Sequence, residues 1–241
     1  MVCRIPVLQV CALLASALSC VQCGCGSKTE QTQKRPSPSM LEQVSAVQRG
    51  DSREIRSQEP MDEAGFEQLR GLTGLEALSL THADLSDEIA DVLSSLEGLR
   101  QIRLEKAAIG DHSARAIGKL PKVSSINLPK CIVSDEGIKD WPLLNELVLL
   151  RIGSPNLSDT AVETVAKMTS LKFLHLIDVP ITDVGLKQLY GMEHLESFYL
   201  DGGRITEDGL TALLDAMPKL HFHRNQQHLP DDPRANDHGK H

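Results

Sequence analysis

The stretch Leu171-Lys172-Phe173-Leu174-His175-Leu176-Ile177-Asp178-Val179-Pro180-Ile181-Thr182-Asp183-Val184-Gly185-Leu186 decides the fold. Its first six residues place Leu171, Leu174 and Leu176 in an apolar-x-x-apolar-x-apolar pattern. The Leu174-x-Leu176 part has the two-residue period of a short strand with one face buried. Thr182-Asp183 then carries the signature of a helix start. A hydroxyl can accept from free backbone N–H groups, and a carboxylate is favoured at the positive end of the helix dipole. Leu186 and Leu189 follow at helical spacing.

The same unit recurs along the chain. Ser86-Asp87, Gly110-Asp111, Ser134-Asp135, Ser158-Asp159, Thr182-Asp183 and Thr206-Glu207 stand at a constant step of 24 residues. Eleven residues before each lies Leu75, Leu99, Val123, Leu147, Leu171 or Leu195, each opening the same apolar pattern. A unit of one strand and one helix cannot bury its apolar face alone, so consecutive units must stack with their strands side by side and parallel. The segment Gly137-Ile138-Lys139-Asp140-Trp141 is read as a helix like the others. Asp62 to Leu69 is read as a lone helical half-unit closing the N-terminal end, and Leu220 to Asn225 as a degenerate last strand.

Read residue by residue, the chain resembles leucine-rich-repeat proteins of the cysteine-containing, ribonuclease-inhibitor-like type. Val123 to Ile138 carries the resemblance with Cys131 at the cysteine position, as does Ile181-Thr182-Asp183-Val184-Gly185-Leu186. The other units place Ala83, Ala107, Pro155, Val179 or Gly203 where Cys131 stands, so Cys131 is read as core packing and not as a nucleophile. The resemblance implies an α/β solenoid, a horseshoe arc of about six 24-residue units with strands on the concave face and helices on the convex face. It extends to bacterial envelope lipoproteins of the planctomycete kind. It also implies a protein or peptide partner rather than a substrate.

The rest of the chain divides by composition. Residues 1–25 place Arg4 before an apolar run from Ile5 to Leu18 and then small residues and cysteines, the layout of an export signal. Cys20 follows Ser19 and Cys25 follows Gly24, each a candidate for lipidation; an uncleaved signal anchor is the other route to the membrane. Residues 26–60 are polar and Pro-containing, which reads as a disordered tether whose root-mean-square reach would be roughly 30–35 Å. Residues 61–227 form the repeat domain, and 228–241 a polar tail with histidines. The expected location is the bacterial cell envelope, as a membrane-anchored lipoprotein or a periplasmic or secreted protein.

Function classes can be narrowed on the same grounds. A net charge of −8 with no basic run argues against nucleic acid as partner. Five of six cysteines fall in the first 25 residues, so no disulfide can form within the repeats. No nucleophile elbow, metalloprotease helix or phosphate-cradling turn occurs, so neither enzymatic activity nor a cofactor is expected. A monomer is the expected state.

Register names the surface. The alternate strand positions facing away from the helices carry Arg103, Leu149, Arg151, Phe173, His175, Ile177, Tyr199 and Asp201, with Phe222 and Arg224 assigned to the last strand. The first three units offer small and polar residues there, whereas the last four add rings, apolar groups and arginines. That composition is typical of interaction hot spots. These ten residues are the candidate partner-binding set. The alternatives are a structural envelope spacer with no specific ligand, or metal binding by the histidines of the tail.

Overall fold

The structure is a computed structural model and describes residues 38–225, 227 and 228. Its spine is one sheet of nine strands in sequence order, β1 Glu54–Ser57, β2 Ala77–Leu80, β3 Gln101–Leu104, β4 Ser125–Leu128, β5 Leu149–Ile152, β6 Phe173–Ile177, β7 Ser197–Asp201, β8 His221–Arg224 and β9 Gln227–His228. The first eight run parallel, and β9 turns back antiparallel on β8. From β2 to β8 each strand pairs in register with the residue 24 positions on, as in Ala77 with Gln101 and Phe173 with Ser197. This is the parallel-stranded leucine-rich-repeat solenoid expected from the period.

Inward residues carry the core. Leu78, Ile102, Ile126, Leu150, Leu174 and Phe198 occupy one column, and Leu80, Leu104, Leu128, Ile152, Leu176 and Leu200 the next, all buried. Against them pack the segments that return the chain: α2 Glu63–Glu67, α3 Ala90–Ser94, α4 Asp111–Ile117, α5 Asp159–Val165, α6 Asp183–Gln188 and α7 Glu207–Ala216. Covering a parallel sheet this way buries the strand leucines that would otherwise face water.

The domain begins earlier than residue 61. A helix, α1 Met40–Arg49, and strand β1 form a further unit ahead of the one read as the N-terminal end. Ser39 and Glu42 make a capping box, Gly50 closes the helix in the left-handed region at φ 78°, and Val44 and Val47 are buried. Ile55 of β1 is fully buried. Averaging over 26–60 concealed this unit, and Glu54 pairs with Ala77, a step of 23 residues rather than 24, so a strict comb misses it. The Gln43 side-chain amide mimics a neighbouring strand at the open edge. It accepts from Arg56 N at 2.8 Å and donates to Arg56 O at 3.0 Å. A glutamine so placed satisfies backbone groups that could otherwise template another strand.

A second correction concerns 137–141. No α-helix forms there; turns lead to a short 3-10 helix at Trp141–Leu143. Pro142 lacks an N–H and disfavours the α conformation in the residue before it. Trp141 fills the space instead, fully buried, its Nε1 donating to Ala114 O at 2.9 Å. It lies so close that a Cβ on Gly118 would stand 2.9 Å from its Cδ1.

The acid after each hydroxyl does more than favour its own helix. Asp135 accepts from Ser158 N at 2.9 Å and Ser158 Oγ at 2.6 Å, and Asp159 accepts from Thr182 N at 2.7 Å and Thr182 Oγ1 at 2.6 Å. Asp111 bonds Ser134 in the same way, and Asp183 bonds Thr206. Each carboxylate thus ties its unit to the next, and where a helix follows the hydroxyl caps it, as Thr182 does toward Val184 N at 3.2 Å. Gly185 is required beside this ladder, because a Cβ there would lie 2.4 Å from Asp159 Oδ1.

Candidate binding face

Strand alternation turns one set of side chains away from the helices, and the 24-residue step aligns them in three columns. The middle column runs Ser79, Arg103, Asn127, Arg151, His175, Tyr199 and His223. At its N-terminal end Arg103 is held by Glu105 two residues on, with Nε donating at 2.9 Å. From Arg151 onward the side chains join across strands. Arg151 Nη1 donates to Asn127 Oδ1 at 3.1 Å and its Nε to His175 Nδ1 at 3.3 Å.

That second bond determines the state of His175. A guanidinium only donates, so Nδ1 must be the unprotonated acceptor, and Nε2–H donates to Asp201 Oδ2 at 2.9 Å. His175 is therefore neutral. Burial pushes its pKa below the ordinary imidazole value and the Arg151 charge adds to this, while the bond to Asp201 pulls the other way. Arg151 is likewise shifted down by burial and by Arg103. With both ring nitrogens engaged, His175 ties Arg151 on β5 to Asp201 on β7.

The rings continue the series. His175 and Tyr199 lie with centroids 5.5 Å apart, and Tyr199 stacks on His223 at 4.2 Å with planes 10° apart. Beside this column Phe173 is 39% exposed, while Leu149 and Ile177 are half-buried. The apolar part of the face is thus smaller than the residue list suggests, because neighbours in adjacent strands cover one another.

Of the ten expected partner-binding residues, eight stand on this face: Arg103, Leu149, Arg151, Phe173, His175, Ile177, Tyr199 and Asp201. Phe222 and Arg224 do not. Phe222 pairs in register with Phe198, is 2% exposed and packs on that ring at 5.3 Å. Arg224 pairs with Leu200 and reaches Glu207 Oε1 at the start of α7, at 2.5 Å. Counting the last unit from Leu220 assigns Phe222 and Arg224 to the face, whereas the unbroken step from Ser197 and Tyr199 lands on His221 and His223. Those two histidines occupy the face, and the step alone would have identified them.

Other groups are structural. Cys131 is buried, its Sγ donates to Gly153 O at 3.4 Å, and burial pushes its thiol up to about 11, so it is not a nucleophile at neutral pH. Among the described residues no group of three or more His, Cys, Asp or Glu is placed to hold a metal ion, and no helix is long and apolar enough to cross a membrane. Cys20, Cys25 and the histidines of the tail beyond residue 228 lie outside the described residues.

No protein-family model and no curated protein matches the chain. Among solved structures, an internalin C2 from Listeria monocytogenes superposes with a TM-score of 0.53 at 19% identity over 65% of this chain. The match spans 64% of the internalin C2 chain. A leucine-rich-repeat protein of Leptospira interrogans is also similar, with a TM-score of 0.43 at 15% identity, over 69% of this chain and 52% of that one. At the identity of the first match the likeness shows the fold, a leucine-rich-repeat solenoid, and not a shared ligand.

Proposed function

We propose that the domain is a non-catalytic module that captures a protein or peptide on the sheet face of its last repeats, displayed in the cell envelope. The observation that carries this reading is the change along the middle column. Ser79 and the paired Arg103 give way to a connected Arg151, His175, Asp201 and Tyr199 with exposed Phe173 at their side. Solenoid sheets are extended surfaces suited to partner binding, and rigid aromatic and arginine groups supply most of the energy where they are desolvated. Across three strands at about 4.8 Å spacing the patch spans roughly 10 Å, the width of a peptide strand.

Display would rest on a lipid at Cys20 or Cys25, with the residues before α1 as spacer. Replacing the lipidated cysteine by Ser should move the mature chain from the membrane to the soluble fraction. The binding reading is tested by the Phe173→Ala/Tyr199→Ala double variant against the wild-type domain on the native envelope fraction. A partner held by the wild type should be lost, with the thermal midpoint little changed. The same partner held equally by both proteins would remove the face from the proposal and leave a spacer.

A further inference from the structure

We propose that β8 carries a two-histidine chelate for a divalent transition-metal ion, formed by His221 and His223. The two residues stand two apart on one strand, so both side chains leave the same face of the sheet. Their Nε2 atoms meet at 3.0 Å, with the rings nearly perpendicular at 83°. In the metal-free chain one ring donates this hydrogen bond to the other. A metal ion replaces the shared proton, which moves to the Nδ1 of the donating ring; both imidazoles stay neutral and no proton is lost.

Metal–nitrogen bonds are about 2.0–2.1 Å, so nitrogens 3.0 Å apart subtend about 94° at an ion between them. That is nearer a right angle than the tetrahedral value, which suits the tetragonal preference of copper(II) or nickel(II) more than zinc. Imidazole ligation excludes calcium and magnesium, which take oxygen donors.

The surroundings fix the geometry. His223 is 4% exposed and stacks on Tyr199 at 4.2 Å, which sets its ring plane, while His221 beside it is half-buried. Ser197 Oγ lies 3.5 Å from His221 Nδ1, placed to accept the proton that nitrogen carries once Nε2 binds metal, an outer contact of the kind that tunes metal ligands. His175 takes no part, since Arg151 and Asp201 hold both of its nitrogens.

The test is copper(II) titration of the full mature chain, free of any affinity tag, against a competing chelator, with electron paramagnetic resonance to count imidazole nitrogens. One ion with two equatorial imidazole nitrogens is expected. His221→Asn and His223→Asn should each weaken binding by at least about tenfold, the minimum seen when even an outer contact of a metal site is lost. A His238→Asn/His241→Asn variant should bind as the wild type does. If His223→Asn fails to fold, as checked by circular dichroism, His221→Asn decides alone. Full affinity in His221→Asn, or loss of affinity in the tail variant, would overturn the assignment and give the metal to the tail.

Discussion

The ladder along the helix starts and the middle column of the sheet face are built on the same 24-residue step, yet one repeats and the other does not. From Asp111 to Asp183 the ladder makes the same pair of bonds to the next Ser or Thr four times, between 2.6 and 2.9 Å. The column changes residue at every strand, from serine through arginine and asparagine to histidine and tyrosine. Where a solenoid repeats a side chain, stacking demands it. Where it varies one, stacking leaves the position open. The ladder holds units together, and the column gives each strand a separate identity.

That contrast can be broken first at the ladder. Asp159→Ala removes both bonds to Thr182, and hydrogen bonds to a charged group contribute about 1.5–3 kcal/mol each, so urea denaturation should register a loss of at least that order. Asp135→Ala, which loses the equivalent bonds to Ser158, should cost the same within error. Very different costs at the two positions would mean that the repeats are not equivalent units.

A smaller effect should come from acid. His175 is held neutral in the folded chain with its pKa below the ordinary imidazole value, so the unfolded chain binds the proton first. The stabilisation is complete above the ordinary imidazole range and is lost as the pH falls below it, through the depressed folded value. The groups it answers to are Arg151 on β5 and Asp201 and Tyr199 on β7, with Arg103 and Glu105 acting through Arg151. Wild type should therefore lose stability between neutral and mildly acidic pH, and His175→Asn should show a flatter profile over that window. An unchanged slope would mean that His175 is not the group titrating.

The smallest effect on stability should be at Phe173. With 39% of its surface exposed, Phe173→Ala should change the unfolding free energy by less than about 1 kcal/mol while weakening partner binding by about tenfold or more. A cost of several kcal/mol would make Phe173 a packing residue, and the contrast between face and ladder would fail at that strand.

The period, the parallel strands and the inward leucines can be read from the residues alone, because apolar residues recurring at one step can be buried only by stacking like on like. Eight of the ten expected face residues followed from the same step. The unit at Met40 to Ser57 was partly legible too, since Ser39 with Glu42, Val44 with Val47, and Gly50 mark a helix with both its ends. The rest came from packing between neighbouring repeats. It joined that helix to the sheet through a 23-residue step, replaced one helix by Trp141, and turned Phe222 inward with His221 and His223 outward. It also carried each carboxylate across to the neighbouring unit. The physical reason is common to all of these. Each depends on which atoms of the adjacent repeat lie within bonding or packing distance, and residues some two dozen positions apart along the chain carry no local mark of that contact.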